Sequence, residues 1–194
     1  MTEQLSENIK VRMVNGIAVD SLFDTINAIK KDSEIANFNF RISNKWINGA
    51  HNHTTIKDFY GAKETHNHKT TFELDADEPP LLLGEGKGPN PVEHFLNALA
   101  ACVTTSLIFH AAAKGIEVHG VESRLDGDLD LRGFLGISKE VPVGYQKIRV
   151  SFKIDADISD KEKEELIEMG KKYSPVYNTI FANQTAVSVG LDKG

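Results

Sequence analysis

Three groups of side chains have the types and spacing to do chemistry. Cys102 is the only cysteine of the chain. A thiolate is a nucleophile, but it needs a nearby cation, a helix N-terminus or a hydrogen-bond donor to lower its pKa. Cys102 stands in the run Ala98-Leu-Ala-Ala-Cys-Val103, where a lone cysteine is more often a small buried hydrophobe. The second group is a repeated tripeptide, His51-Asn-His53 and His66-Asn-His68. Residues two apart share one face of a strand, so each pair can grip a metal ion and two pairs can fill a tetrahedral site. Both pairs are expected at strand ends or in loops, where histidines are as a rule solvated, and no metal is assigned to them. The third is Ser174, ahead of Pro175, where a hydroxyl suits the cap of a helix. There is no P-loop, no G-x-G-x-x-G after a strand and no G-x-S-x-G elbow.

The element that must position Cys102 is a long helix. Asn90 is a good N-cap, Pro91 fits the first helical position, and Glu93 completes a capping box with Asn90. Apolar residues recur at Phe95, Leu96, Leu99, Val103 and Leu107, which keeps one face dry. Gly115 is a C-terminal stop. The helix is apolar nearly all round, so Cys102 is expected inside the protein or at an interface.

Ahead of it, Asn15-Gly16 signals a hairpin between Lys10–Val14 and Ile17–Val19. Asp20 is read as the cap of a short helix with Leu22, Ile26 and Ile29 on its apolar face. Strands are expected around Phe38–Ile42, over Thr54–Tyr60 and over Thr70–Leu74. Asp75–Gly88, with Pro79, Pro80 and several glycines, reads as a loop.

After the long helix, Val121 to Leu131 alternates with acidic residues, and Ile148 to Ile154 alternates with basic ones. Opposite charges on the outer faces make these two runs antiparallel neighbours. Between them, Gly133-Phe-Leu-Gly-Ile137 either tucks into the core or serves as a lid or dimer contact. Ser159 and Glu162 form a second capping box. Ser174-Pro175 restarts a helix with Val176, Ile180 and Phe181 inward, and Thr185–Leu191 is a last strand. Segregated strands and helices argue for an α+β fold. Residues 1–37 read as an N-terminal extension and 38–194 as the main domain.

The chain has 194 residues, 40% hydrophobic and 26% charged, with a net charge of −6. That balance argues against nucleic-acid or anionic-membrane partners. No apolar run is expected to reach the ~20 residues of a membrane span. The first residues lack a basic start and an apolar run, so no secretory signal is expected. A single cysteine suits a reducing cytoplasm.

Asn90-Pro-Val-Glu-His-Phe-Leu-Asn-Ala-Leu-Ala-Ala-Cys102 and Tyr173-Ser-Pro-Val176 resemble motifs of the OsmC/Ohr family of osmotically inducible and organic-hydroperoxide-resistance proteins. Trp46-Ile-Asn-Gly-Ala-His51, Phe59-Tyr-Gly-Ala62 and Arg132-Gly-Phe-Leu-Gly136 look like its longer OsmC-like branch, and the likeness covers about residues 38–191. The resemblance implies an intertwined homodimer, with long central helices packed between curved antiparallel sheets. It implies cofactor-free thiol peroxidase chemistry as part of an oxidative stress response. Cys102 matches the reactive cysteine. The resolving cysteine's position is Ser174, the place of an active-site glutamate is Val92, with Glu93 one residue on, and the place of an arginine is filled by His51.

The implied function is therefore a weak or one-cysteine organic hydroperoxide reductase. It would use Cys102, tuned by His51, Glu93 and His94, with an external thiol as reductant. The other reading is a non-catalytic dimer whose interface pocket, including Val92, His94, Phe134 and Leu135, binds a small apolar ligand.

Overall fold

The computed structural model of the chain describes residues 11–181. Its contacts fall into two compact units, Met1–Phe95 and Leu96–Gly194. Lys10 and the expected strand Thr185–Leu191 lie outside the described residues.

The first unit begins with a hairpin of β1 (Met13–Val14) and β2 (Ile17–Ala18). Asn15 and Gly16 both have positive φ, which is why the Asn-Gly pair fits this two-residue turn. Helix α1 (Val19–Lys31) follows without a gap. Asp20 is not its cap. Strand β2 runs straight into the helix, so Ala18 is the boundary residue and makes no side-chain cap bond. Asp20 lies in the first turn and accepts the Arg12 N–H at 3.2 Å. Leu22, Ile26 and Ile29 are the half-buried face, as their spacing requires.

The sheet of this unit is built on one strand, β5 (His51–Gly61). Along one edge it pairs with β6 (Glu64–Ala76). The other edge is shared by β4 (Ser43–Asn48), opposite the start of β5, and by β3 (Asn39–Phe40), opposite its end. All pairings are antiparallel. The β4–β5 turn holds Gly49 at positive φ, closed by the Trp46 indole N–H on the Gly49 carbonyl at 3.0 Å.

Both long strands outrun the sequence expectation, and both His-x-His pairs fall at the starts of strands, one of the two expected places, and not in loops. The polar ends of β5 and β6 lack apolar alternation, and cross-strand pairing extends them instead. The Phe38–Ile42 run is shorter than expected, with only Asn39 and Phe40 paired. Its rings form a row on the sheet. Phe40 stands opposite Phe59, and Phe38, Phe40, Phe59, His68 and Phe72 make successive ring contacts at 5.2–6.3 Å. The row is uncovered, and Phe40 is 73% exposed.

Helix α2 (Pro91–Lys114) spans the boundary between the units. It is capped by the predicted box: Asn90 Oδ1 accepts the Glu93 N–H at 2.9 Å, and Glu93 Oε2 accepts the Asn90 N–H at 2.8 Å. Gly115 at φ +74 ends it. The Gly115 N–H donates to Ala112 and that of Ile116 to Ala111, each at 2.9 Å, satisfying carbonyls that the helix end leaves open. The expectation about apolar runs is corrected by α2, which is long and apolar enough to cross a membrane by length and composition. Alanine and threonine between the larger residues hide that run from a count of bulky apolar side chains. Its driest stripe is Leu99, Val103, Leu107 and Ala111. Phe95, expected on that face, is partly exposed.

In the second unit, β7 (Gly120–Asp128) and β8 (Lys147–Asp155) pair antiparallel, with Glu122 opposite Lys153 and Asp126 opposite Arg149. The charge pattern predicted this antiparallel pairing. β7 stops at Asp128, short of the expected Leu131, because Asp130 caps a one-turn helix, α3 (Leu131–Phe134), by accepting the Arg132 N–H. Phe134, Leu135 and Ile137 do not tuck into the core of this chain; all are exposed. Helix α4 (Asp160–Lys172) starts at the Ser159–Glu162 capping box, and α5 (Pro175–Phe181) follows Ser174. Val176 and Ile180 are half-buried.

The core of this unit is Leu107 and Ala111 of α2, Ile154, Ala156 and Leu166. Gly170 lets α4 approach α2 closely, since a Cβ there would lie 3.0 Å from the Val103 carbonyl oxygen.

Leu107 is fully buried, whereas Leu81 is almost wholly exposed. Leu107→Ala is expected to lower stability by ~2–5 kcal/mol through lost burial and a residual cavity. Leu81→Ala should stay within about 0.5 kcal/mol of wild type. Denaturant unfolding of both variants checks this, and equal effects would contradict the core assignment.

Candidate functional site

The turn that leads from β6 into α2 is organised by Asp77. Its carboxylate is buried and accepts three backbone N–H groups: Glu78 at 2.8 Å, Glu85 at 3.1 Å and Lys87 at 3.2 Å. Burial by itself pushes the Asp77 pKa up, but the hydrogen bonds from Lys87, Glu78 and Glu85 outweigh it and hold the carboxyl below its ordinary value. Glycine is required at two close approaches. A Cβ on Gly84 would sit 1.8 Å from the Glu78 carbonyl oxygen, and one on Gly88 2.3 Å from that of Asp75. The tightened loop leaves Leu83 at φ +66, with Leu81 and Leu83 projecting into solvent. Asn90 Nδ2 donates to Glu78 Oε2 at 3.3 Å, tying the helix start to the same loop.

Three histidines meet at Asp75, at the end of β6. His51 Nε2 is 2.8 Å from Asp75 Oδ1, and His53 Nδ1 is 3.0 Å from the same oxygen. His94, in the first turn of α2, places Nε2 3.1 Å from the Asp75 carbonyl oxygen. The side-chain bonds from His51 and His53 hold the Asp75 carboxyl below its ordinary value. Strand pairing explains the meeting, because His53 stands opposite Asp75 and His51 lies two residues away on the same face. The other pair is elsewhere on the ladder: His66 stands opposite Phe59, and both His66 and His68 rings lie against it. The two pairs therefore do not converge on one metal ion. Among the described residues no cluster of His, Cys, Asp or Glu has the geometry to hold one.

Cys102 lies in the second unit, on α2, half-buried. One turn on, the Ser106 hydroxyl donates to the Tyr173 carbonyl at 3.1 Å. Residues four apart share a helix face, so the face that carries Cys102 is the one that meets the start of α5. Ser174 is fully buried there, and its Oγ accepts the Tyr177 N–H at 3.1 Å, as the cap reading predicts. Further along, the His110 ring lies 4.4 Å from that of Tyr173, and burial lowers the His110 pKa, with Lys114 adding to the shift.

The structure thus brings His51 and His94 together on Asp75, and ties Ser106, one turn after Cys102, to the Tyr173 carbonyl that precedes Ser174. Glu93 is exposed, with its carboxylate on the helix cap. Val92 is half-buried in the first turn. Phe134 and Leu135 stand out on α3 and its C-terminal side. Sequence reasoning missed Asp75 and Asp77. Asp75 carries a signal only once the β5–β6 register is known. Asp77 is legible in retrospect as an acceptor side chain ahead of Pro79-Pro80 and the glycines at 84, 86 and 88.

The family described as OsmC-like protein matches residues 84–190. No match was found among curated proteins. Several solved structures share the fold. An OsmC-like protein from Mycoplasma pneumoniae is 20% identical with a TM-score of 0.56, over 73% of this chain and 86% of its own. An OsmC-like protein of unknown function from Vibrio cholerae is 11% identical with a TM-score of 0.56, over 73% and 93%. An organic hydroperoxide resistance protein OsmC from Legionella pneumophila, also described as a predicted redox protein, is 22% identical with a TM-score of 0.50, over 74% and 91%.

The Asp77 latch has a defined pH dependence. Its folded pKa is lowered from 3.8, so its stabilisation is fully present above that value and is lost as pH falls through the lower, folded value. Asp77→Asn, which turns an amide toward backbone donors, should unfold at lower denaturant than wild type at neutral pH. The gap should persist through mild acid and close only below 3.8. Unfolding midpoints across that range check it. A gap that narrows well above 3.8 would assign the effect to another group.

Proposed function

The chain belongs to the OsmC-like protein family, and from that premise we propose that it is a thiol-dependent organic hydroperoxide reductase of slow, one-cysteine type. The observation that carries this reading is the placement of Cys102. It lies on the long helix, within the stretch that matches the family, half-buried rather than sealed, and one turn from Ser106, whose hydroxyl bonds the Tyr173 carbonyl next to Ser174. The hydroperoxide-resistance description of the Legionella relative supports the substrate class.

The chemistry needs only groups of known type. The Cys102 thiolate attacks the terminal oxygen of ROOH, the O–O bond breaks, and the alkoxide leaves as ROH after taking a proton. Sulfur is left as a sulfenic acid. Ser174 has no thiol to close a disulfide, so an external thiol must attack the sulfenic sulfur and release water. A second thiol then frees Cys102. Val92 supplies no charge where the resemblance places a glutamate, and the Glu93 carboxylate is engaged at the cap. Both features favour slow activation of the thiol.

The assembly belongs to the same reading. We propose a homodimer whose partner covers the exposed apolar residues Phe38, Phe40, Ile42 and Trp46. The exposed Phe134, Leu135 and Ile137 favour a second reading, in which the dimer takes up a small apolar ligand at these residues without turnover. Oxidation of Cys102 separates the two.

Cumene hydroperoxide should convert Cys102 to sulfenic acid slowly, with Val92→Glu faster and His51→Ala slower than wild type by about tenfold or more, the size of effect typical of a general acid–base or electrostatic group. The rate of sulfenic acid formation against pH measures this. A fast wild-type rate unmoved by either substitution would exclude the assigned roles, and an inert thiol would favour the ligand-binding reading. Sedimentation should show one species of twice the 21.4 kDa chain mass; a folded species at the chain mass overturns the dimer.

A further inference from the structure

Tyr173 fastens the corner between α4 and α5 to α2. Its carbonyl accepts the Ser106 hydroxyl at 3.1 Å, and its ring centre lies 4.4 Å from that of His110, the planes tilted by 35°. Ser106 and His110 are four residues apart, so they share the face of α2 that meets the corner. The corner itself is tied together. Ser174 is fully buried and caps α5, and the Asn178 side-chain amide donates to the Lys172 and Ser174 carbonyls at 3.0 and 2.8 Å. Tyr173 and Ser174 therefore part from α2 together.

The groups that face the His110 ring are cationic or phenolic. Lys114 stands one turn further along α2. From the corner come the Tyr173 phenol and the Lys172 ammonium, which lies 5.2 Å from the centre of the Tyr173 ring. Lys171 is held away by Glu168 at 2.7 Å. Among the described residues no carboxylate lies within ion-pair distance of His110. A neutral imidazole stacks on the phenol ring without a charge penalty. An imidazolium there would lose hydration and stand among like charges. The ring cannot make this good, because its face already attracts Lys172. Burial first and Lys114 second hold the His110 pKa below 6.5.

We propose that His110 and Tyr173 form a pH-operated clasp, in which the neutral imidazole holds the α4–α5 corner on α2 and protonation releases it. With the corner open, the hydrated imidazole takes up a proton at its ordinary value of 6.5. The clasp is therefore fully closed above that value. It weakens as pH falls through it and weakens no further below the lower value of the closed form. Ser174 leaves its buried place with the corner. No thiol chemistry enters the clasp, so it stands apart from the peroxidase reading.

The test is a titration of the full-length protein by NMR from about pH 8 to 5, the range in which histidine changes charge. The His110 pKa should lie below 6.5, and Overhauser contacts between the His110 and Tyr173 rings should fade as it titrates. Lys114→Gln should move the midpoint up toward 6.5. A second measurement reads the corner itself. In a Cys102→Ala background, the thiol introduced by Ser174→Cys should be labelled slowly at the upper end of the range. Relative to a free thiol at the same pH, its labelling should rise severalfold at the lower end. Adding His110→Phe, which keeps a ring but cannot charge, should hold labelling at the slow level throughout. Ring contacts that persist through the titration overturn the clasp, as does a His110 pKa at or above 6.5. An equal rise in labelling with His110→Phe overturns it too. If the labelling variants do not fold, the wild-type titration and its ring contacts decide.

Discussion

The structure depends on a buried carboxylate that three backbone N–H groups hold in its ionised form. Asp77 closes the turn between the longest strand and the longest helix among the described residues. A buried charge of this kind is tolerable only when hydrogen bonds replace its lost water. Here they come from residues 78, 85 and 87, so one side chain fixes both ends of the loop. Gly84 and Gly88 make the fit feasible, because any side chain there would occupy the space of a carbonyl oxygen. The latch sets the register of the first helical turn. His94 then reaches the Asp75 carbonyl and Asn90 reaches Glu78.

Much of the fold was legible because local signals agreed with one another. Asn15-Gly16, Asn90 with Glu93, Ser159 with Glu162, and Ser174-Pro175 each mark a boundary through the hydrogen bond or backbone angle that the residue type favours. The β7–β8 pairing could be read because acidic and basic residues face each other across it. Elements failed where non-local pairing overrides local pattern. The histidine-rich ends of β5 and β6 become strand because each is the other's partner, not because either looks like one. Asp20 lost its capping role because the strand ahead of it ends one residue early, at Ala18, and the helix starts at Val19.

The candidate site divides along the same line. Cys102 and Ser174 could be picked out because their residue types are distinctive in their settings and both fall in the stretch that matches the family. Asp75 could not, since one aspartate among the chain's 28 acidic residues has no distinguishing mark until the sheet sets it across from His53. The same pairing gives the His-x-His repeat two different meanings. One copy shares a carboxylate, and the other lies on an aromatic ring.

The open aromatic row on β3, β5 and β6 makes the stability of this chain a property of its surroundings. A partner or ligand that covers those rings binds the folded form and not the unfolded one. By mass action it then adds to the folding free energy, by roughly 2.7 kcal/mol at a hundredfold excess over its dissociation constant. In the homodimer proposed above, dilution would withdraw that contribution and a higher concentration of the chain would restore it. A melting temperature taken at one concentration would then describe an equilibrium with the solution, and the abundance of the protein would become one of the determinants of how long each copy stays folded.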